Sequence, residues 1–203
     1  PAPPRSFAAP FPPMPDASPS DSLDALCERL AASDEAAFEA LFDRLGGPVF
    51  RFISGMVGTG PLAHDLTQET FVRLWKAREQ MDTVQSPKAY VFQMARHRVY
   101  SHERSERTRR RRRAEHGPAS GGGAAPRPDD AMDTEALHDK VQAWIGALPE
   151  RQREALLLAR EQGLSHDEIA QVMDIAPSTV NNHIVKAMRT LRDRLDAYRP
   201  DLL

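Results

Sequence analysis

The sequence predicts an all-α protein of two small helical domains joined by a flexible linker, with a helix-turn-helix in the C-terminal domain. Apolar residues recur at helical spacing through most of the 203 residues, and no long stretch alternates apolar and polar residues as a strand would. A segment rich in Gly, Ala and Pro, residues 114–134, interrupts this pattern near the middle of the chain. We therefore expect domains at 22–113 and 135–203 with a flexible linker between them.

The first domain is expected to follow a proline-rich extension, residues 1–21, which lacks a periodic apolar pattern and is predicted to be disordered. Helical spacing begins at Leu23, and Ser33 and Asp34 are available as a cap between two helices. Breaker residues at 46–48, which are Gly, Gly and Pro, predict an interruption before the pattern resumes.

The next helix, expected from about Leu62 to Arg78 after a Gly- and Pro-containing turn, has a distinct inward and outward face. The inward face contains Leu66, Phe71, Leu74 and Trp75. The outward face contains Asp65, Gln68, Glu69 and Arg73. Periodicity alone is compatible with an ordinary solvated amphipathic helix.

Positive charge is concentrated in residues 96–113, where nine arginines and two glutamates give a local charge of +7. Residues 22–95, with seven basic and ten acidic side chains, sum to −3. Such a block attracts a polyanion in a salt-dependent way, and Tyr90 and Tyr100 in the same helical pattern could stack on unpaired bases. The alternative is a solvated basic tail without a specific ligand.

The second domain is expected to begin near Thr134 as a helix cap, with Pro149 ending the first helix. Another helix is predicted at Glu150–Glu161, with the leucines at 156–158 facing inward. Ser165 and Glu168 then have the spacing of a capping box at the start of a further helix.

A helix-turn-helix follows from the apolar spacing of Ile169, Ala170, Met173, Ile175, Val180 and Ile184. Asp174 occupies the turn, where Asp tolerates left-handed backbone angles, and Pro177 suits the first turn of the second helix. The candidate DNA-contacting side chains on the outward face are Ser178, Thr179, Asn181, Asn182, Lys186 and Arg189. An ordinary helical hairpin with a polar face is the alternative.

Several classes of protein are not favoured by the sequence. The one cysteine, Cys27, excludes an internal disulfide, and its place on an apolar helical face predicts a buried thiol. No catalytic arrangement, phosphate loop or grouping of the scattered histidines is recognisable, so we expect no enzyme activity, no cofactor and no metal site. Without a membrane span or signal peptide in the sequence, a soluble cytoplasmic protein is expected.

Two segments give the chain a resemblance to a known family. Residues 65–71, DLTQETF, and the segment LPERQREALLL…LSHDEIA…STV resemble the extracytoplasmic-function sigma factors, which are two-domain initiation subunits of bacterial RNA polymerase. The resemblance covers roughly 34–113 and 135–195. His97 and Ser101 depart from the Asn and Asp usual in the family, and Tyr90 replaces a common Trp.

The resemblance implies functions for particular residues. Asp65, Gln68 and Glu69 would bind the beta-prime clamp helices of core RNA polymerase, and the loop at 78–88 would capture a flipped promoter base. The implied contacts to the minus-ten element of promoter DNA are Lys88, Arg96, His97, Arg98, Arg104, Arg107 and Arg109. The helix-turn-helix would recognise the minus-thirty-five element, and the recognition helix would also meet the beta flap. An anti-sigma factor is a further implied partner, and the acids Asp129, Asp130 and Asp133 would suit a linker path through the polymerase.

Two other functions remain open at this point. TVNNHI, residues 179–184, also resembles the recognition helix of stand-alone regulators that bind duplex DNA as dimers, although that function leaves DLTQETF unexplained. A polymerase-binding inhibitor would keep the first-domain contact without promoter opening, and the basic block argues mildly against it.

Overall fold

The computed structural model describes residues 22–116 and 133–198, and helices form all of the regular structure in these two stretches. The first stretch forms α1 (Leu23–Ala31), α2 (Glu35–Val57), α3 (Pro61–Lys76), a 3-10 helix (Arg78–Thr83) and α4 (Pro87–His116). The second forms α5 (Asp133–Gly146), α6 (Glu150–Gln162), α7 (His166–Met173) and α8 (Pro177–Tyr198). This confirms the all-α prediction. The predicted linker, 114–134, is helical at both ends, because α4 continues to His116 and α5 begins at Asp133. The rest of the linker, with Asp129 and Asp130, and the expected disorder of 1–21 concern residues outside the described ranges.

The turn between α1 and α2 is closed by the cap that the sequence predicts. The Asp34 carboxylate accepts hydrogen bonds from the backbone N–H groups of Ala36 and Ala37, at 2.9 and 3.2 Å. A further hydrogen bond from the Arg29 guanidinium, together with these backbone bonds, lowers the pKa of the Asp34 carboxyl. Ser33 adopts a φ of 64°, so the chain reverses at Ser33 and the new helix begins directly after Asp34.

The predicted interruption at 46–48 is wrong, because α2 runs without a break from Glu35 to Val57 and contains Pro48. An internal proline removes one helical hydrogen bond and costs about 3 kcal/mol. The helix continues because its inward face continues: Leu41, Leu45, Val49 and Phe52 are all no more than 2% exposed. Burying each such side chain contributes about 1.5–3 kcal/mol, which together exceeds the cost of the proline.

The first helical unit, α1 to α4, packs around α2. Helix α1 lies against the 3-10 helix, while α2 contacts both α3 and α4. Phe52 of α2 and Phe92 of α4 meet edge to face with ring centroids 5.6 Å apart, and neither is exposed. Two long helices, α3 and α4, are thereby fixed against α2.

The second helical unit, α5 to α8, is a smaller bundle. Its buried core includes Leu158, Ile169, Met173, Val180 and Ala187, drawn from α6, α7 and α8. Helix α5 begins at Asp133, so Thr134 lies inside the helix and is not its cap. Among the described residues, no helix combines the length and the apolar character that a membrane span needs.

The two helical units also pack directly against each other, which the sequence did not predict. Helix α2 contacts α6, and α4 contacts α7. The units approach closely at Gly55, where an added Cβ would lie 2.7 and 2.8 Å from the two Cδ atoms of Leu157. A side chain at position 55 would therefore require Leu157 to move.

Candidate nucleic-acid interface

The outer face of α3 is polar and accessible. Asp65, Gln68 and Glu69 are exposed, as predicted from their spacing, while Thr67 and Thr70 are buried. Both buried hydroxyls donate to backbone carbonyls of their own helix at 2.7 Å, so the inner face has its polar groups satisfied. The helix therefore presents two carboxylates and an amide to a partner.

Val72, which the sequence prediction did not include, extends this face. It lies three residues after Glu69 and is 51% exposed. The exposed face of α3 therefore carries an aliphatic side chain beside its two carboxylates. The helical spacing of 65, 68, 69 and 72 could have identified it from the sequence.

One predicted polymerase contact and one predicted DNA contact bind each other. The Arg98 guanidinium of α4 donates a hydrogen bond to the Glu69 carboxylate of α3 in an ion pair. Arg98 is 23% exposed and Glu69 is 51% exposed. Because the pair is open to solvent on the Glu69 side, either member can exchange its partner at modest cost.

The predicted minus-ten side chains divide into two groups along α4. His97, Arg104, Arg107 and Arg109 are exposed, and Arg109 forms an ion pair with Glu106 one turn away at 2.9 Å. Arg96 and Arg98 are instead partly buried in ion pairs. The exposed side chains toward the end of α4 are therefore accessible to a polyanion, whereas Arg96 and Arg98 bind carboxylates of the protein itself.

The segment between α3 and α4 is fixed at both ends. Arg78 lies 4.8 Å from the ring centroid of Trp75 and donates to the Ser33 hydroxyl at 2.8 Å, so it anchors the 3-10 helix. At the other end, burial lowers the pKa of Lys88, against the opposing effect of the nearby Glu168 carboxylate. Lys88 is therefore a half-buried cation at the contact with α7.

Arg96 and Tyr100 converge on an acidic residue of the second helical unit. The Glu154 carboxylate of α6 is fully buried and accepts hydrogen bonds from the Arg96 guanidinium and from the Tyr100 hydroxyl, the latter at 2.9 Å. The Arg96 guanidinium also lies 4.7 Å from the centroid of the Tyr100 ring. Burial raises the pKa of Tyr100, and the charge of Glu154 raises it further, so its hydroxyl remains a donor.

Glu154 was not identified from the sequence. It begins EALLL, residues 154–158, and an acid before an apolar run usually lies on the solvent-exposed side of a helix. A lone acid before such a run was the only signal available.

The helix-turn-helix has the geometry that its sequence predicts. Ser165 Oγ accepts from the Glu168 backbone N–H at 3.2 Å, and the Glu168 carboxylate accepts from the Ser165 backbone N–H at 2.8 Å, which completes the capping box. Asp174 occupies the turn with φ 56° and ψ 53°, in the left-handed region. Helix α8 then begins at Pro177, where the missing N–H costs nothing.

Helix α8 exposes both polar and apolar side chains. Ser178, Asn181, Asn182, Lys186 and Arg189 are exposed, and Thr179 is half-buried, so the predicted DNA-contacting side chains lie on accessible positions. The sequence analysis did not identify three exposed apolar side chains on the same helix, Val185, Met188 and Leu195, at 56%, 48% and 41% exposure. Large apolar side chains at helical spacing on a surface indicate a protein partner.

Within the described ranges, no group of three or more His, Cys, Asp or Glu side chains is placed to hold a metal ion. The buried thiol predicted for Cys27 is confirmed, since the residue is 1% exposed.

Comparison with known protein families matches each helical unit in turn. The model described as Sigma-70 region 2 matches residues 41–110, and the model described as Sigma-70, region 4 matches residues 138–191. The chain belongs to the sigma-70 family of RNA polymerase sigma factors. This membership accounts for both the DLTQETF helix and the helix-turn-helix, and it does not favour the stand-alone dimeric regulator.

Curated relatives agree with the group that the resemblance indicated. The chain is 28% identical over 181 residues to the ECF RNA polymerase sigma factor SigK of Mycobacterium bovis and of Mycobacterium tuberculosis, covering 87% of this chain and 95% of the relative. SigK of a further Mycobacterium strain is 27% identical over 177 residues, with 85% and 90% covered. The protein is thus an alternative sigma factor of the extracytoplasmic-function group.

Two solved structures share the fold. CnrH, in complex with the cytosolic domain of CnrY, has a TM-score of 0.65 and 21% identity, covering 87% of this chain and 99% of CnrH. The sigma factor RpoE of Bartonella quintana, in complex with the anti-sigma factor NepR, has a TM-score of 0.62 and 21% identity, with 78% and 96% covered.

Proposed function

We propose that this sigma factor binds core RNA polymerase through the outer face of α3 and recognises promoter DNA through α4 and α8. In this proposal the first helical unit, with the loop before α4, engages the minus-ten element. The second unit engages the minus-thirty-five element. Directed initiation at a particular promoter is the function of the assembled holoenzyme.

The observation that supports the polymerase contact most strongly is the composition of the α3 face. Asp65 and Glu69 lie one turn apart on the exposed side, with Val72 beside them, and the opposite side of the helix is packed in the core. Two carboxylates at this spacing match a basic helical partner, such as the clamp helices of the beta-prime subunit. The helix is rigid because its inner face is fully packed, so the binding face is preformed.

The minus-ten contact is supported by the position of the basic block. His97, Arg104, Arg107 and Arg109 are exposed along one long helix, and the loop expected to receive a flipped base precedes the same helix. Lys88, Arg96 and Arg98 complete this set once they exchange their present partners. Phosphate contacts from such a helix supply affinity, and a base pocket in the loop supplies selection.

The minus-thirty-five contact is supported by the polar start of α8. Asn181 and Asn182 can bind adenine edges in the major groove, while Ser178, Lys186 and Arg189 suit phosphates or guanine. The apolar stripe of Val185, Met188 and Leu195 is the surface that we assign to the beta flap. DNA would thus be bound by the polar side chains of the helix and the polymerase by its apolar ones.

An anti-sigma factor is the partner that we propose for the inactive state. The sigma factor RpoE, which shares the fold, was solved with the anti-sigma factor NepR. A protein of this function acts by binding and requires no catalytic group, and it works in the cytoplasm beside the polymerase. The acids at Asp65 and Glu69 would be open to such a competitor as well as to the polymerase.

The proposal is tested by co-elution with bacterial core RNA polymerase on a sizing column. We expect the wild-type chain to co-elute and the Asp65→Ala/Glu69→Ala variant to lose at least about tenfold in affinity, because two charged contacts at a protein interface are removed. Asp24→Ala/Glu28→Ala on α1 is the matched control, since both acids are exposed, have the same spacing and remove the same charge. Equal loss in both variants would contradict the α3 assignment, and absence of wild-type co-elution would contradict polymerase binding.

A further inference from the structure

The 3-10 helix between α3 and α4 is fixed on one side by the start of the chain's first helical unit. It packs against α1, and its Met81 side chain is buried in the core at 1% exposure. Nε of Arg78 donates to the Ser33 hydroxyl, in the turn between α1 and α2, at 2.8 Å. Nη1 of Arg78 donates to the Trp75 carbonyl at the end of α3, at 3.0 Å. The segment is therefore attached to two neighbouring elements at its first residue.

The opposite side of the 3-10 helix and the residues after it are open and polar. The exposed side chains are Glu79, Gln80, Asp82, Thr83 and Gln85. The Thr83 hydroxyl donates to the Gln80 carbonyl at 2.8 Å and closes the last turn. Carboxylates, amides and hydroxyls are groups that hydrogen-bond to base edges. Their positions depend on what holds the segment from the other side.

Arg78 is held in one orientation by its surroundings. Its guanidinium lies 4.8 Å from the ring centroid of Trp75, in addition to its two hydrogen bonds. A guanidinium is planar and its donors have fixed directions, so stacking together with two bonds leaves it little freedom. A lysine carries the same charge but has neither the plane nor the fork of donors. Arg78 thus fixes the direction in which the 3-10 helix leaves α3.

The backbone of Ser33 indicates that its hydroxyl is used for this contact. Ser33 has a φ of 64°, in the left-handed region that glycine adopts without strain and that few other residues adopt. Its backbone N–H donates to the Leu30 carbonyl at 2.8 Å, so the backbone alone closes the turn. Glycine would satisfy this turn equally well. What serine adds at this position is the hydroxyl that accepts from Arg78.

We infer that Ser33 and Arg78 are positioning residues for base selection at the minus-ten element, acting through the exposed side of the 3-10 helix. The inference rests on the proposed function for the identity of the ligand, whereas the anchoring of the segment does not. Neither residue contacts DNA in this mechanism. They control discrimination between bases more than overall affinity, because a hydrogen bond to a base edge weakens steeply when donor and acceptor are misaligned.

Two substitutions remove the anchor with little effect on the rest of the fold. Ser33→Gly removes the hydroxyl and suits the left-handed backbone, so the fold is expected to stay close to wild type in stability. Arg78→Lys keeps the charge and removes the fork of donors. Ser22→Gly is the matched control at the other end of α1, where the lost hydroxyl accepts only from the Ala25 backbone N–H, at 3.1 Å. Glycine at such a cap costs little.

The assay uses holoenzyme reconstituted from the full chain and bacterial core polymerase. It transcribes a library of duplex templates randomised at the minus-ten and minus-thirty-five elements, and sequencing of the transcripts gives the discrimination between bases at each position. For wild type we expect roughly five- to 150-fold discrimination at a contacted position. Ser33→Gly and Arg78→Lys are expected to lose about fivefold of this at the minus-ten element, through misalignment, and none at the minus-thirty-five element. Ser22→Gly is expected to match wild type at both.

Hydrogen exchange on the free chain provides a second readout. In Ser33→Gly and Arg78→Lys the amides of residues 78–86 are expected to exchange faster, with α2 and α4 unchanged.

Wild-type discrimination in either variant would overturn the inference. An equal loss at both promoter elements would also overturn it, as would a loss that follows the free energy of unfolding measured in urea, because the two residues would then be only structural. A wild-type library without any minus-ten preference would contradict the proposed function itself. That outcome is read from the wild type alone, so it is distinct from a failure of the positioning inference.

Discussion

Removing the Glu168 side chain is expected to weaken both the helix-turn-helix and its contact with the first helical unit. One carboxylate oxygen accepts from the Ser165 backbone N–H at 2.8 Å and from its hydroxyl at 3.0 Å, and the other accepts from Ser86 at 2.8 Å. A helix cap contributes about 1 kcal/mol, and a hydrogen bond to a charged group contributes about 1.5–3 kcal/mol, less where it is solvent-accessible. We expect Glu168→Ala to lower the free energy of unfolding by about 1–2 kcal/mol, which corresponds to about 2–8 °C in Tm for a chain of this size.

The matched control for this change is Asp167→Ala, in the same first turn of α7, because Asp167 is exposed and has only its general attraction to the helix N-terminus to lose. That loss is expected to be a few tenths of a kcal/mol, measured by urea unfolding followed by circular dichroism. Ser86→Ala, alone and combined with Glu168→Ala, isolates the bond between the units by a double-mutant cycle. Equal destabilisation by the two α7 variants, or a coupling energy of zero with Ser86, would refute this reasoning.

The pH dependence of the same variant has a defined sign. Burial raises the pKa of Glu168, but the hydrogen bonds from Ser165 and Ser86 outweigh it and leave the pKa below its ordinary value of 4.5. The stabilisation by the ionised carboxylate is therefore fully present above about pH 4.5 and is lost as the pH falls through the lower folded-state pKa. The difference between wild type and Glu168→Ala is expected to shrink below pH 4.5, as measured by urea unfolding at several pH values.

Three further predictions concern the turn, the thiol and the DNA surface. Asp174→Val is expected to cost about 1–2 kcal/mol in thermal unfolding, because a β-branched residue resists φ 56°, whereas Asp174→Gly is expected to be close to wild type. Burial and, secondarily, the Asp24 charge raise the pKa of Cys27 to about 11. Iodoacetamide is therefore expected to label Cys27 at pH 8 only after urea unfolding. The free energy of unfolding is expected to fall as the pH rises from 9 to 11, because the thiol ionises more readily in the unfolded chain. Lys186→Ala/Arg189→Ala is expected to weaken holoenzyme binding to promoter DNA, as measured by filter binding. The slope of log binding constant against log salt concentration is expected to fall in magnitude by up to about 2. An unchanged slope would exclude phosphate contacts from both side chains.

The sequence predicted those parts of the structure in which the determining interactions are local. Ser165 and Glu168 are three residues apart, and a hydroxyl and a carboxylate at that spacing satisfy each other's backbone N–H groups in one geometry. Asp174 suits the turn because Asp is one of the few residues that tolerate left-handed backbone angles. The outward face of α3 followed in the same way from the 3.6-residue period.

Helix α2 was predicted wrongly because tertiary packing outweighs the local effect of its glycines and proline. The Gly and Pro residues at 46–48 weaken an isolated helix. The sequence alone does not show how much stabilisation the burial of apolar side chains supplies against this. Val49 and Phe52 are fully buried against other helices, and that burial depends on residues far along the chain, such as Phe92. An apolar spacing that continues unchanged across a proline is the feature that favours a continuous helix.

The contact between the two units could not be predicted, because its residues have no distinguishing local pattern. Gly55 is an unremarkable glycine near a helix end until Leu157 is seen above it. Glu154 precedes an apolar run and is separated by 54 residues from Tyr100, the nearer in sequence of its two partners across the contact. Only the arrangement of the helices shows that this acid is enclosed and that its partners come from the opposite unit.

Three carboxylates outside the basic block bind groups on α4 or in the segment before it. Glu69 holds Arg98, Glu154 holds Arg96, and Glu168 holds Ser86 beside Lys88. In the first two, the carboxylate binds an arginine that the proposed function assigns to DNA, and in the third it lies near Lys88, which belongs to the same set. Because an ion pair gains little once desolvation is included, a polyanion can replace these carboxylates at small net cost. The exchange is favoured most where the carboxylate gains hydration or a new partner. Under the proposed function Glu69 would gain the polymerase as its new partner, which would couple core binding to release of Arg98.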